Sequence, residues 1–173
     1  MVLDIAGGLF EQKDVRETNA GGITESNFNT DDFSIASGVV SLKSKTSYYS
    51  INPAEWNHYQ STKDVSRTSA YCKPNEDAVV FHAAVHLPHG AVVTGIIVYG
   101  DAAATAESYT LYRTNKDDQN GDTLAQANIG TADATISNAT IDNSNYTYVL
   151  STSTLDTDDK IYGAVITYTT DYI

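Results

Sequence analysis

Cysteine, tryptophan and methionine occur once each in the 173 residues, and basic side chains are scarce. The single cysteine, Cys72, cannot close an intrachain disulfide or build a metal site alone, so we expect a buried, inert thiol. Ten Lys and Arg against twenty-two Asp and Glu give a formal net charge of −12. Because an acidic surface repels phosphate, we expect neither nucleic acid nor an anionic membrane as a partner.

Long hydrophobic runs are also missing. No segment approaches the roughly 20 apolar residues that cross a bilayer, so we expect no membrane insertion. The first residues contain Asp4 and have neither a basic start nor a long apolar stretch, unlike a signal peptide. We therefore expect synthesis in a cytoplasm.

What the sequence has in abundance is Thr, Tyr, Val and Ile, with apolar residues alternating at period two between turn clusters. This pattern predicts an all-β, antiparallel sandwich or barrel. Turns are expected at Pro88 to Gly90 and at Asn120-Gly121, and one short helix in "PAEWNHY", capped by Asn52 with Pro53 in its first turn. Strands are predicted at roughly 67–72, 78–87, 91–101, 106–114, 122–129, 134–141, 145–152 and 160–170.

The N-terminal quarter has few large apolar residues. Residues 1–21 are expected to form an arm, and residues 22–45 two or three short strands around Gly38. An isolated hairpin is marginal in water, so this stretch needs a cover: two further copies of the chain, the surface of another protein, or the sandwich itself. We predict an extended attachment or oligomerisation segment over 1–45 and a β-sandwich domain over 46–173. The predicted contact residues alternate along the segment: Phe28, Phe33, Ile35, Val39 and Leu42.

Two stretches resemble known modules. "AAVHLPHGAVVTGIIVYGDAAATAESYTLYRTN", with "ATIDNSNYTYVLSTS" and "KIYGAVITYT" after it, resembles a jelly-roll β-sandwich of viral and bacterial surface proteins. "GITESNFNTDDFSIASGVVSLKSK" resembles short β repeats of phage fibres and head proteins. The resemblance implies a jelly-roll-like sandwich in a capsid decoration protein or head or tail fibre. It also implies a homotrimer at the virion surface that contacts other virion proteins and needs no cofactor.

Catalytic and metal-binding patterns are missing. His82 and His86 share a strand face but lie roughly 13 Å apart, too far to hold one ion. In "KDDQNGD", Lys116 takes the first position of a calcium loop, although calcium between two loops stays an open alternative. Without a nucleophile elbow, phosphate loop or HExxH motif, we expect no enzyme and no bound metal. A sandwich-type hydrolase is an alternative function, and it would need a carboxylate pair in a groove.

Aromatic residues are the candidates for recognition. Trp56, Tyr48, Tyr49 and Tyr59 fall in one stretch, and aromatic rings anchor both protein partners and sugar faces. The alternative is that Trp56 fills the mouth of the sandwich and the tyrosines are half-buried strand residues. The sequence therefore predicts a non-enzymatic virion structural protein, with a carbohydrate-binding module for surface glycans as the alternative.

Overall fold

The protein is described by a computed structural model over residues 33–36, 39–60, 62–101 and 103–171. The chain divides after Lys43 into two compact units, each of which is described by itself. The predicted arm over 1–21, Phe28 and the Gly38 turn lie outside the described residues. No helix in the described ranges is long and apolar enough to span a bilayer.

The described part of the first unit is an antiparallel hairpin. Strand β1 (Phe33–Ala36) pairs with β2 (Val39–Leu42), with Phe33 opposite Leu42 and Ile35 opposite Val40. Short strands were predicted here. Phe33 is half-buried, whereas Leu42 keeps 44% of its surface exposed.

The second unit is a sandwich of two antiparallel five-stranded sheets, which confirms the predicted fold class. The strands of the first sheet are β4 (Asn57–His58), β7 (Phe81–Ala84), β9 (Ser108–Asn115), β10 (Gly121–Asn128) and β11 (Tyr146–Thr152). Their order across the sheet is β10-β9-β11-β7-β4.

The strands of the second sheet are β3 (Lys45–Ile51), β5 (Val65–Arg67), β6 (Cys72–Pro74), β8 (Val92–Gly100) and β12 (Ile161–Thr170). Strand β12 pairs with β3 on one side and with β8 on the other. It also meets β6 through Ile161 and Cys72, and β6 pairs with β5.

The core between the sheets is built from alternate residues of the central strands. Tyr109, Leu111 and Leu150 from the first sheet and Ile161 and Ile166 from the second are completely buried. The Tyr109 hydroxyl lies 2.9 Å from the Ile96 carbonyl and 2.8 Å from that of Thr131, where it donates a hydrogen bond. Burial raises the pKa of Tyr109 to about 12, because the phenolate would lose its hydration.

Cys72 is part of this core, as predicted. Its side chain has no exposed surface, and burial raises the pKa of the thiol to about 12. A thiol held in its neutral form is a poor nucleophile.

Two predicted strands are wrong. The range 67–72 contains a turn between β5 and β6, because the Thr68 hydroxyl accepts hydrogen bonds from the amides of Ala70 and Tyr71. The range 134–141 forms no regular strand, since Asn138 has a left-handed backbone (φ 48°). Strands β3 and β4 were not among the predicted ones.

The segment 130–141 instead closes one side of the sandwich. Asp133 exchanges two backbone hydrogen bonds with Ile96 of the second sheet, each 2.9 Å long. Its carboxylate accepts a hydrogen bond from the backbone amide of Gln126 in the first sheet at 2.9 Å. It accepts another from the backbone amide of Thr135 at 2.7 Å. Asp133 therefore fastens an edge of each sheet to the same connection.

The predicted turns and helix are partly confirmed. The Ala91 amide bonds the Pro88 carbonyl at 3.1 Å, and Gly90 has the expected positive φ of 81°. The β9–β10 hairpin is present, but its left-handed residue is Gln119 rather than Asn120 or Gly121. The helix is a single 3₁₀ turn, Pro53–Glu55, capped by Asn52 as predicted, and the chain then enters β4.

Candidate functional site

The outer face of the second sheet carries a cluster of aromatic and aliphatic side chains that we call the tyrosine face. Side chains alternate between the two faces of a strand, and directly paired residues share a face. Tyr48 of β3 pairs with Thr167 of β12, and Val165 of β12 pairs with Ile97 of β8. The tyrosine face consists of Tyr48, Ile97, Tyr99, Tyr162 and Val165.

Exposure agrees with this assignment. Tyr48 is 70% exposed, and Tyr99 and Tyr162 are each 46% exposed. The alternate residues Val98 and Ile166 are fully buried in the core on the opposite side of the same strands. Three phenol rings are thus open to solvent on one sheet surface, with Ile97 and Val165 half-buried between them.

A β-bulge arranges two of the three tyrosines. Between Ile161 and Gly163 the register with β8 shifts by one residue, so that Tyr162 has no opposite partner and Gly163 pairs with Tyr99. A bulge of this kind re-aims the side chain it frees. Gly163 has φ of 128°, and a Cβ atom there would lie 2.7 Å from the Ile51 carbonyl oxygen. Glycine is therefore the residue that fits this position.

The tyrosine face is uncharged. Lys45, at the start of β3, is the one charged residue in the sequences of β3, β8 and β12. Hydroxyl groups occupy the neighbouring outward positions of Thr46, Ser50 and Thr167. The rest of the chain has a large acidic excess, so this surface differs from its surroundings in both charge and aromatic content.

The predicted recognition aromatics are separated by the structure. Tyr48 belongs to the tyrosine face, whereas Tyr49 points inward and packs against the core. Tyr59 is 78% exposed but follows β4 of the first sheet, where its ring meets the His82 ring edge-on at 5.8 Å.

Trp56 requires a correction. Its side chain has no exposed surface, so it cannot present its ring to a ligand as predicted. The chain leaves the 3₁₀ turn at this residue in an extended conformation, and the indole enters the core. Among the described residues its Nε1 has no hydrogen-bond partner. The alternative that Trp56 is a structural residue of the sandwich agrees with this burial.

Tyr99 and Tyr162 were missed as candidates. They stand in "VYG" and "IYG", next to glycines at the ends of two long β patterns. The period-two pattern places each tyrosine on the strand face opposite to that of its buried neighbours in sequence. Only the pairing of β8 with β12 brings the two tyrosines together. For the predicted contact residues Ile35 and Val39, the structure gives strand positions only.

The histidines and loop carboxylates do not gather into an ion site. Within the described ranges no three His, Cys, Asp or Glu side chains are placed to hold a metal ion. His89 Nδ1 accepts a hydrogen bond from the Asn143 amide at 3.1 Å. The Asp118 carboxylate accepts hydrogen bonds from Asn120, which hold the pKa of Asp118 below its usual value. Asp118 is thus engaged with its own turn.

An open groove of about 450 Å³ lies beside β7 and β11. Its lining includes His86, Lys116 and Tyr146 but no carboxylate, so it lacks the acid and base of a glycosidase. Lys116 donates a hydrogen bond to the Asn143 carbonyl at 2.7 Å, which leaves this cation committed to a loop. The Arg113 guanidinium stacks over the ring of Tyr146, 4.2 Å from the ring centroid.

Comparisons with known proteins assign no family. No family model matches the chain, and no curated protein matches it. Among solved structures, a protein described as "xylan-binding module CBM15" is 14% identical, with a TM-score of 0.42, and the match covers 71% of this chain and 97% of that one. At this identity and TM-score the likeness gives this chain neither a family nor a ligand.

Proposed function

We propose that the chain is a non-enzymatic structural protein of a virion surface, either a capsid decoration protein or a head or tail fibre. The observation that supports it is the division after Lys43. A sandwich with its own buried core follows a separate unit whose described part is a hairpin of two four-residue strands. Such a hairpin is marginal alone and gains stability from a covering partner.

In this proposal the first unit attaches the chain to a capsid or tail protein, or to its own copies in a homotrimer, and the sandwich faces outward. The net charge of −12 keeps closely spaced copies soluble and discourages nonspecific adhesion. The jelly-roll and fibre resemblances of the two stretches support the same assignment.

The test is immunogold electron microscopy with an antibody raised against the full chain. The antibody is applied to purified particles of the virus that encodes the chain. Gold on the outer surface of intact particles is the expected result. As a control, antibodies against other surface proteins must label the same particles. If they do, and the antibody against this chain labels only soluble protein, a virion role is refuted.

The oligomer proposal has its own measurement. Light scattering on the full chain is expected to give three times the 18.6 kDa chain mass, and on residues 44–173 a single chain. If both give a single chain, the homotrimer is wrong and the first unit is an anchor for a different protein.

A second candidate function is carbohydrate binding, and the tyrosine face is the observation that favours it. A glycan array with the full chain tests this candidate directly. Saturable binding to at least one glycan supports it, and silence across the array leaves the structural role.

A further inference from the structure

We infer that the tyrosine face binds a neutral, extended polysaccharide along the direction of β12; the inference rests on the carbohydrate-binding candidate above. Its first support is chemical. A sugar ring presents C–H groups on its faces and hydroxyls at its rim, so it matches an exposed phenol ring bordered by hydroxyl side chains. Tyr48 has such borders in Thr46, Ser50 and Thr167, which share its face of the sheet.

Charge selects the class of polymer. The strands that form the face contribute no carboxylate and, apart from Lys45 at one end, no cation. A neutral polymer is therefore bound without burying an unpaired charge, which is costly. Two further cations belong to the same sheet region, Lys160 just before β12 and Lys73 on β6, and Lys160 is paired with the Asp101 carboxylate at 3.6 Å. The net charge of −12 repels uronate or sulfated polymers.

The spacing of the rings indicates a chain rather than a single sugar. Tyr48 lies opposite Thr167, five residues along β12 from Tyr162, which corresponds to roughly 16 Å in a strand. Tyr99 on β8 pairs with Gly163, next to Tyr162. Aromatic rings thus stand at both ends of a surface longer than one sugar ring, with Ile97 and Val165 between them.

The competing occupant of such a face is a second copy of the chain. An aliphatic sheet surface would favour that occupant, since homodimer interfaces resemble a protein core. Here the outward positions of β3 are Thr46, Tyr48 and Ser50, a phenol between two hydroxyls. Val92 of β8, which is 37% exposed, joins Ile97 and Val165 as an outward aliphatic residue. These three aliphatic side chains stand among three phenols and the outward hydroxyls of Thr167 and Thr169. The polysaccharide is therefore the occupant we propose, and self-association is one outcome of the test.

The test is affinity electrophoresis of the full chain in native gels that contain a soluble neutral polymer, either β-glucan or galactomannan, or an anionic one, either hyaluronate or polygalacturonate. The double variant Tyr48→Thr and Tyr162→Thr removes two rings but keeps the β propensity of both positions. The matched control is Tyr59→Thr, which removes a tyrosine of similar exposure outside the face. Thermal unfolding of each variant establishes that it is folded.

We expect a neutral polymer to retard the parent chain and the Tyr59→Thr control, and the double variant to bind at least tenfold more weakly. Equal retardation of all three chains would overturn the site while the carbohydrate-binding candidate stands. Retardation by anionic polymers alone would overturn the neutral class. No retardation by any polymer would overturn the site, and the glycan array then decides whether the carbohydrate-binding candidate stands. A fall in the light-scattering mass of the double variant, without polymer, would assign the face to a second copy.

Discussion

Gly163→Ala is expected to be among the most destabilising single changes in the sandwich. The added methyl would lie 2.7 Å from the Ile51 carbonyl oxygen, a backbone atom that cannot move without disturbing the β3–β12 pairing. The backbone φ of 128° is also one that alanine rarely adopts. Such a conformation alone costs about 1–3 kcal/mol, and with the clash we expect a total of about 3 kcal/mol.

Gly95→Ala is the matched control, because Gly95 lies in the adjacent strand β8. A Cβ atom there would meet the Asp133 carbonyl oxygen at 3.6 Å, an ordinary contact, and the backbone is not left-handed. We expect its free energy of unfolding to stay within about 1 kcal/mol of the parent value. Urea denaturation followed by far-UV circular dichroism measures both variants.

If Gly163→Ala lowers the free energy of unfolding no more than Gly95→Ala does, the bulge at Tyr162 does not depend on glycine at position 163. The orientation of Tyr162 and Tyr99 on the tyrosine face would then need another explanation. A large cost for Gly163→Ala with an unchanged Gly95→Ala would support the bulge as a built feature of β12.

Five further outcomes are expected. Tyr109→Phe should lower the free energy of unfolding by about 1–2 kcal/mol in urea melts, because it removes the hydroxyl that donates a hydrogen bond to the Thr131 carbonyl. Since the folded pKa of Tyr109 is raised to about 12, the parent should lose stability as pH rises from about 10 towards 12, and Tyr109→Phe should lose less. Cys72 should react with a maleimide at pH 8 only after unfolding; fast labelling of the native chain would contradict its burial. Asp133→Ala should cost about 1–2 kcal/mol and speed hydrogen exchange at the Gln126 amide, whereas unchanged exchange would contradict its bond to that amide. Trp56→Ala should cost about 3–5 kcal/mol in a thermal or urea melt, and a small cost would contradict its place in the core.

Much of the fold follows from local pattern. Strands β8, β9, β10, β11 and β12 were predicted to within two residues or so, because each is a long alternating run bounded by turn residues. The failures have local causes that pattern does not reveal. "ATISNATI" mixes apolar and polar residues as a strand does, yet the left-handed Asn138 interrupts it. Ile136 and Ile141 both pack against the core although they are five residues apart, a separation that a regular strand would place on opposite faces.

The candidate site was harder to predict, because it depends on pairing between distant strands. Tyr48, Tyr99 and Tyr162 share one face only because β3 and β8 flank β12, and sequence spacing does not encode that order. Trp56 was misassigned for a related reason. A lone tryptophan in a polar stretch is typical of a recognition residue, and only the fold shows that the chain turns its ring into the core.

The measurement that tests the virion proposal most directly is add-back to particles that lack this chain. Saturable binding of the full chain, and no binding of residues 44–173 at the same concentration, is the predicted result, because attachment is assigned to the first unit. Equal binding of both would move the attachment surface into the sandwich. If the full chain does not bind to particles that were assembled without it, the proposed role is contradicted.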